Sequence, residues 1–188
     1  MSIIEDGRGS GKKVRVTDTN RLDVSSKSNS RLFYVSKNDE KAFVINLTLT
    51  QVLGGATEGL GYVTYIGNNK LYLHSITVST EEPTTGMTKF GIWLEPTTLS
   101  GGESKIPTNM NATSAQESET TCIHTNDTLL VTISGGNSLY TIRLNGPNSF
   151  IIDFNDAIIL GKNQSIGIKT SAATTGTKTR ATIEWFEE

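Results

Sequence analysis

Cysteine, histidine and proline are all scarce in this 188-residue chain, and each scarcity removes a class of protein. A single cysteine, Cys122, excludes an internal disulfide framework. With His74 and His124 as the two histidines, soft ligands are too few for a zinc site built from local His and Cys spacing. No segment approaches the roughly 20 apolar residues that span a bilayer as a helix. The opening MSIIEDGRGSGKK carries an acidic pair and no apolar core, so no secretory leader is expected and synthesis in a cytosol is. Charge is sparse as well: 19% of residues are charged and the formal net charge is −2, which argues against a nucleic-acid partner. No membrane partner is expected either.

Hydrophobic residues make up only 35% of the chain, and Thr, Ser, Asn and Gly fill the difference. Thr is β-branched and favours strands, while Gly, Asn and Ser favour turns. That mixture points to an all-β protein. The length suits one domain that buries enough surface to fold without metal or disulfides.

Residues 1–30 read differently from the rest. Gly7-Arg8-Gly9-Ser10-Gly11-Lys12-Lys13 is basic and glycine-rich, and Ser25–Ser30 is a polar linker. Between them, Val14–Thr17 and Arg21–Val24 flank Asp18-Thr19-Asn20 as a small hairpin. This stretch has too few apolar residues for a core of its own. It is expected to be an extended arm that needs a partner surface, with residues 31–188 as the folded domain.

From Leu32 onward, strand-like runs recur between turn clusters. Leu32–Val35 reads as a short strand, and Ala42–Thr50 places Phe43, Ile45, Leu47 and Leu49 on one face. Gly54-Gly55 and Gly59–Gly61 bracket a loop before Tyr62–Ile66. In Lys70–Ser79 the apolar residues change parity, which predicts a bulge near His74-Ser75. Lys89–Leu94 puts Phe90, Ile92 and Leu94 opposite Trp93. Residues 95–121 read as a loop of unusual length, functional, interface-forming or mobile. Further strands are expected at Leu129–Ser134, Leu139–Leu144, Phe150–Phe154, Ala157–Leu160, Ser165–Thr170 and Thr179–Phe186. No window carries a helical period. Eight to ten short strands without helical crossovers predict an antiparallel β-sandwich, specifically a jelly roll, with a barrel as the alternative.

Constellations that could carry chemistry are absent or incomplete. Gly11-Lys12 is followed by Lys13 rather than Ser or Thr, and position 6 is Asp, so no phosphate-binding loop forms. Cys122-Ile123-His124 places two side chains on one strand face, too far apart for a nucleophile–base pair and too few for a metal. Cys122 reads as a small buried hydrophobe or a loop thiol, and His124 as a surface residue. Asp153 and Asp156 read as turn chemistry, Glu81-Glu82-Pro83 as a loop start. No cofactor, metal or catalytic residue is assigned, so the chain is expected not to be an enzyme. Four Asn-x-Ser/Thr sequons mean little in so Asn- and Thr-rich a chain. Among the aromatic residues, Trp93 and Tyr140 are the candidates for a ligand platform or a subunit interface, with core or interface the plainer reading.

Two stretches resemble virion proteins of tailed bacteriophages. Glu5-Asp6-Gly7-Arg8-Gly9-Ser10-Gly11-Lys12-Lys13-Val14-Arg15-Val16, ending in Asn20-Arg21-Leu22-Asp23-Val24, is similar to the opening of many small phage structural proteins. Ile158–Lys169 followed by Ala181–Glu188 is similar to the closing hairpin of phage jelly rolls. Together they cover about a third of the chain, and the middle carries no such likeness. The resemblance implies an accessory protein of capsid decoration, head fibre, collar or tail, working in the virion as a homotrimer or other homo-oligomer. Its arm residues Arg8, Lys12, Lys13, Arg15, Arg21 and Leu22 would contact other virion proteins. The alternative is a module on the particle that binds a host-surface glycan or receptor.

Overall fold

The computed structural model describes residues 3–5, 13–15, 31–52, 54–81, 86–126 and 129–188; for 3–5, 13–15 and Phe33 the backbone alone is described. Contacts divide the chain into Met1–Ser30 and Arg31–Glu188. In the first unit, strands β1 (Ile3–Glu5) and β2 (Lys13–Arg15) pair antiparallel, with Val14 opposite Ile4. The hairpin expected across 14–24 extends into residues 16–24, which lie outside the described residues.

The second unit opens with a helix, α1 (Arg31–Asn38), where the sequence pattern predicts a strand. Leu32 and Val35, three apart, drop onto Ala42 and Phe186 outside the sandwich. Arg31 lies over the stacked rings of Tyr72 and Phe186 and forms an ion pair with Glu188. One apolar i, i+3 pair in two turns is too little to display a helical period. Docking, rather than pattern, decides this element.

Eight long strands follow: β3 (Ala42–Thr50), β4 (Glu58–Tyr65), β5 (Leu71–Glu81), β6 (Met87–Leu94), then, after five short ones, β12 (Asn137–Asn145), β13 (Asn148–Leu160), β14 (Ser165–Ala172) and β15 (Lys178–Glu187). They pair in the orders β13-β5-β15-β3 and β12-β6-β14-β4, every pair antiparallel. Numbered among themselves, these eight give 6-3-8-1 in one sheet and 5-4-7-2 in the other. This interleaving is that of the jelly roll, so the expected architecture is the observed one. Phe43, Ile45 and Leu47 on β3 and Ile183 and Trp185 on β15 face Phe90, Ile92, Ile166 and Ile168 of the other sheet in one core. Trp185 is fully buried and packs at 6.1 Å from the Phe43 ring. Each such side chain taken out of water is worth about 1.5–3 kcal/mol.

The five short strands lie between β6 and β12; the first three fall inside the loop expected at 95–121, and the fourth begins at its end. β7 (Thr98–Ser100) pairs with β11 (Thr132–Ser134) as a ribbon. β8 (Glu103–Ser104) and β10 (Thr120–His124) extend the second sheet beyond β4, and β9 (Thr108–Asn109) extends the first beyond β3. The excursion therefore seals one flank of the sandwich. The expected strand at Leu129–Ser134 shortens to β11, and Leu129 and Leu130 are exposed. Gly59 and Gly61, expected in a loop, lie inside β4. A Cβ at Gly59 would come within 2.3 Å of the Val131 carbonyl and one at Gly61 within 2.6 Å of that of Ile123. The close approach of the excursion demands those glycines.

The parity break in β5 is a bulge at the expected place. Glu184 and Asp153 both face Ser75, while Trp185 and Ile158 both face Leu73, so His74 is left over on both sides. On β13 the same irregularity holds Asn155 and Asp156 at φ of 48° and 62°, joining what the sequence pattern divides into two strands. His74 Nδ1 pairs with Asp156 Oδ1 at 3.0 Å, and the Asn155 N–H donates to Asp153 Oδ1 at 2.8 Å. Asp153 thus has the local turn role expected of it, whereas Asp156 reaches across to the side chain of His74 instead. A β-branched residue at 155 would meet left-handed strain, so Asn155→Val should lower stability by about 1–3 kcal/mol while Asn155→Gly stays within about 0.5 kcal/mol. Urea denaturation of both variants checks this.

Candidate functional site

Three places on the sandwich could do something beyond holding it together. The first is the surround of Cys122 and His124 on β10. Cys122 is buried and faces Val63, and its Sγ lies 3.4 Å from the Thr120 hydroxyl. Burial pushes the thiol up to about 12, helped by the Glu187 carboxylate and opposed by the Thr120 hydroxyl. It is thus a protonated thiol at neutral pH. His124, expected at the surface, is instead partly buried, and its Nδ1 is buried without a hydrogen-bond partner. It contributes to a groove of about 350 Å³ with Thr48, Thr50, Lys178 and Arg180. Arg180 is committed to Glu81 at 2.8 Å. Among the described residues, no group of three His, Cys, Asp or Glu side chains could hold a metal.

The second place is Trp93. The alternation of β6 puts it opposite Phe90 and Ile92, and that is where it lies: those two are fully buried and Trp93 stands on the outer face of the sheet. With Lys89, Gly91, Thr141, Lys169 and Thr57 it lines a pocket of about 230 Å³. The Lys169 ammonium sits 4.4 Å from the indole centre. Tyr140 does not join it. Tyr140 pairs across β12 with Ile92, on the core side, and packs edge-on to Phe154 at 5.8 Å. The two candidate aromatics therefore lie on opposite faces of one sheet and form no common platform. Tyr65 and Trp185 are core residues, and Tyr72 lies under α1.

The third place is the flank opposite the excursion. Here β12 and β13 are the last strands of their sheets. Tyr140, Phe150, Ile151 and Ile159 are exposed along them, Ile151 to 64%. Natural sandwiches cover or charge such edges. This flank is not visible in the sequence, because Phe150, Ile151 and Ile159 read as core strands there. Of the arm residues, Arg8, Lys12, Arg21 and Leu22 lie outside the described residues, and Lys13 and Arg15 are described on β2 by backbone alone.

Tyr65 shares the behaviour of Cys122. Its hydroxyl donates to Glu119 Oε2 at 3.1 Å, and burial, with the Glu119 and Glu187 carboxylates, pushes it up to about 12. From pH 9.0 to about 12 for Cys122, and from 10.0 to about 12 for Tyr65, the folded state keeps a proton that the unfolded chain releases. Stability should therefore fall as pH rises through this window, with a slope of about 1.4 kcal/mol per pH unit for a fully engaged buried proton. Urea midpoints measured between roughly pH 8 and 11 test it, and Cys122→Val should flatten the decline. Native Cys122 should also resist a thiol reagent that labels the unfolded chain rapidly.

No protein-family profile matches the chain. No curated protein sequence matches it. Among solved structures the chain is similar to the infectious bursal disease virus VP2 subviral particle, at 12% identity and a TM-score of 0.22, over 78% of this chain and 41% of that chain. It is similar to the T=1 particles derived from infectious bursal virus at 14% identity and a TM-score of 0.21, over 78% and 39%. For the Gt strain of the same virus the identity is 15% and the TM-score 0.20, over 95% and 49%. The chain thus spans two-fifths to half of the length of these chains, and its fold assignment rests on strand order alone.

Proposed function

We propose that this chain is a non-catalytic structural subunit of a virion, an accessory protein of a tailed bacteriophage that self-associates through the β12–β13 flank and is anchored by its N-terminal arm. The observation that carries this reading is the contrast between the two flanks. One is sealed by the β6–β12 excursion; the other keeps, among the described residues, two free edges and the exposed side chains of Tyr140, Phe150, Ile151 and Ile159. An edge with this much exposed apolar surface is a hazard in a monomer and an asset in an assembly.

The occupant of that edge is the arm of a second copy. β13, NSFIIDFNDAIIL, carries Asp153 and Asp156 and no cation. The arm around β2 carries Lys12 and Lys13 before Val14, and Arg15 between Val14 and Val16. An alternating basic and apolar segment can add a strand to an acidic and apolar edge, backbone bonds giving affinity and charge giving register. Passing each arm to the next subunit is a head-to-tail contact, and such contacts close into rings such as trimers. The resemblance of Glu5–Val24 to the opening of phage structural proteins supports an arm that docks on other virion proteins.

Light scattering of the full chain should show a closed oligomer, with a trimer expected. Ile151→Lys, or Lys12→Glu with Lys13→Glu and Arg15→Glu, should shift it to monomer without moving the thermal midpoint of the sandwich by more than a few degrees. Asp153→Lys combined with the reversed arm should restore assembly. In purified virions the chain should be present at a fixed copy number, hundreds for decoration and about a dozen for neck or tail. A monomeric parent protein, or an arm reversal without effect, overturns the reading.

A further inference from the structure

The outer face of the β12-β6-β14-β4 sheet carries a second feature, independent of the assembly flank. In register across it, Arg143 on β12 lies opposite Lys89 on β6, and Lys89 opposite Ser171 on β14; one step along, Thr141 lies opposite Gly91 and Gly91 opposite Lys169. Trp93 follows on β6. Of these three cations, Lys89 and Lys169 line a pocket with the indole and Arg143 stands opposite Lys89, in a chain whose net charge is −2. Among the described residues none of the three has a carboxylate partner, and the Trp93 Nε1–H has no acceptor. Like charges placed directly opposite on a sheet destabilise it. A bound anion relieves that repulsion.

Gly91 makes the indole's position possible. A Cβ there would stand 2.9 Å from Trp93 Nε1, so any side chain at 91 pushes the ring away. The indole folds back beside Lys169 instead of standing free, and the pocket of about 230 Å³ opens between them and Lys89, with the hydroxyls of Thr57 and Thr141 at its rim. The lining offers ammonium groups, an indole N–H and hydroxyls, and no acid. Such a site takes an anion rich in acceptors that also has an apolar ring face.

We infer that this pocket binds an acidic saccharide, its carboxylate held by Lys89 and Lys169 and its ring set against Trp93. The volume suits one sugar ring rather than a drug-sized ligand. A nucleic-acid strand would also bring anions and rings, but it is served by successive aromatic platforms along a basic track. Here there is one indole, and Lys169 already occupies one of its faces.

Calorimetry of the full chain at low salt with sialyllactose, a hyaluronan tetrasaccharide, neutral lactose and an oligothymidylate tests the inference. At least one acidic sugar should bind at least about tenfold more tightly than lactose, and oligothymidylate should not displace it. Trp93→Ala, Lys169→Gln and Gly91→Val should each weaken binding about tenfold or more, whereas Lys162→Gln, on a distant turn, should leave it unchanged. Thermal unfolding of each variant confirms the fold. Binding of neither acidic sugar, equal binding of lactose, displacement by the oligonucleotide, or full binding by folded Trp93→Ala each overturns the proposal. Because Ile151→Lys should keep saccharide binding while losing assembly, the two readings fail separately.

Discussion

Glu187 ties the long excursion to the sandwich. Its buried carboxylate accepts the Ser118 hydroxyl at 2.5 Å, the Glu119 N–H at 3.0 Å and the indole N–H of Trp185 at 3.1 Å. A carboxylate placed this deep is costly unless donors surround it, and hydrogen bonds to charged groups contribute about 1.5–3 kcal/mol each. The same group thus orients the largest core side chain and fixes residues 118–119. Through them it sets β10 against β4 and brings the Glu119 carboxylate to the Tyr65 hydroxyl. It acts with backbone bonds from Met110 to the Ala42 carbonyl and from Thr125 to that of Leu60, which hold the same segment over the edges of β3 and β4.

That anchoring makes the two flanks unequal, and the inequality organises the surface. On the sealed side, glycines at 59 and 61 let the excursion lie directly on β4, and the Thr125 hydroxyl donates to the Gly59 carbonyl at 2.5 Å. On the other side, β12 and β13 end their sheets with apolar side chains in solvent. The Trp93 pocket lies on a third surface, the outer face of one sheet. The proposed assembly and ligand binding therefore draw on different strands' faces, and one can change without the other.

Several particulars are legible in the amino-acid pattern. The alternation of Phe43, Ile45, Leu47 and Leu49 predicts their shared burial, and the parity break after Leu73 predicts the bulge at His74. Both follow from the two-residue period of a strand, which is local. Trp93 opposite Phe90 and Ile92 is legible for the same reason. Helix α1 is not, because Leu32 and Val35 acquire their meaning only from Phe186, far away in sequence. Phe150 and Ile151 look in sequence like any core strand; only their place at the end of a sheet exposes them.

The sequence by itself determined that this chain is built mainly of strands and which face most of their side chains take. These are properties of neighbours along the chain, set by side-chain alternation and turn chemistry. The tertiary structure alone decided which strand lies beside which, and hence which edges are sealed, which lysines share a pocket with Trp93, and that Trp93 and Tyr140 stand on opposite faces. An alternating strand satisfies its own pattern against any partner. The choice among partners is made by the whole core packing at once, with the Glu187 contacts selecting where the excursion must lie.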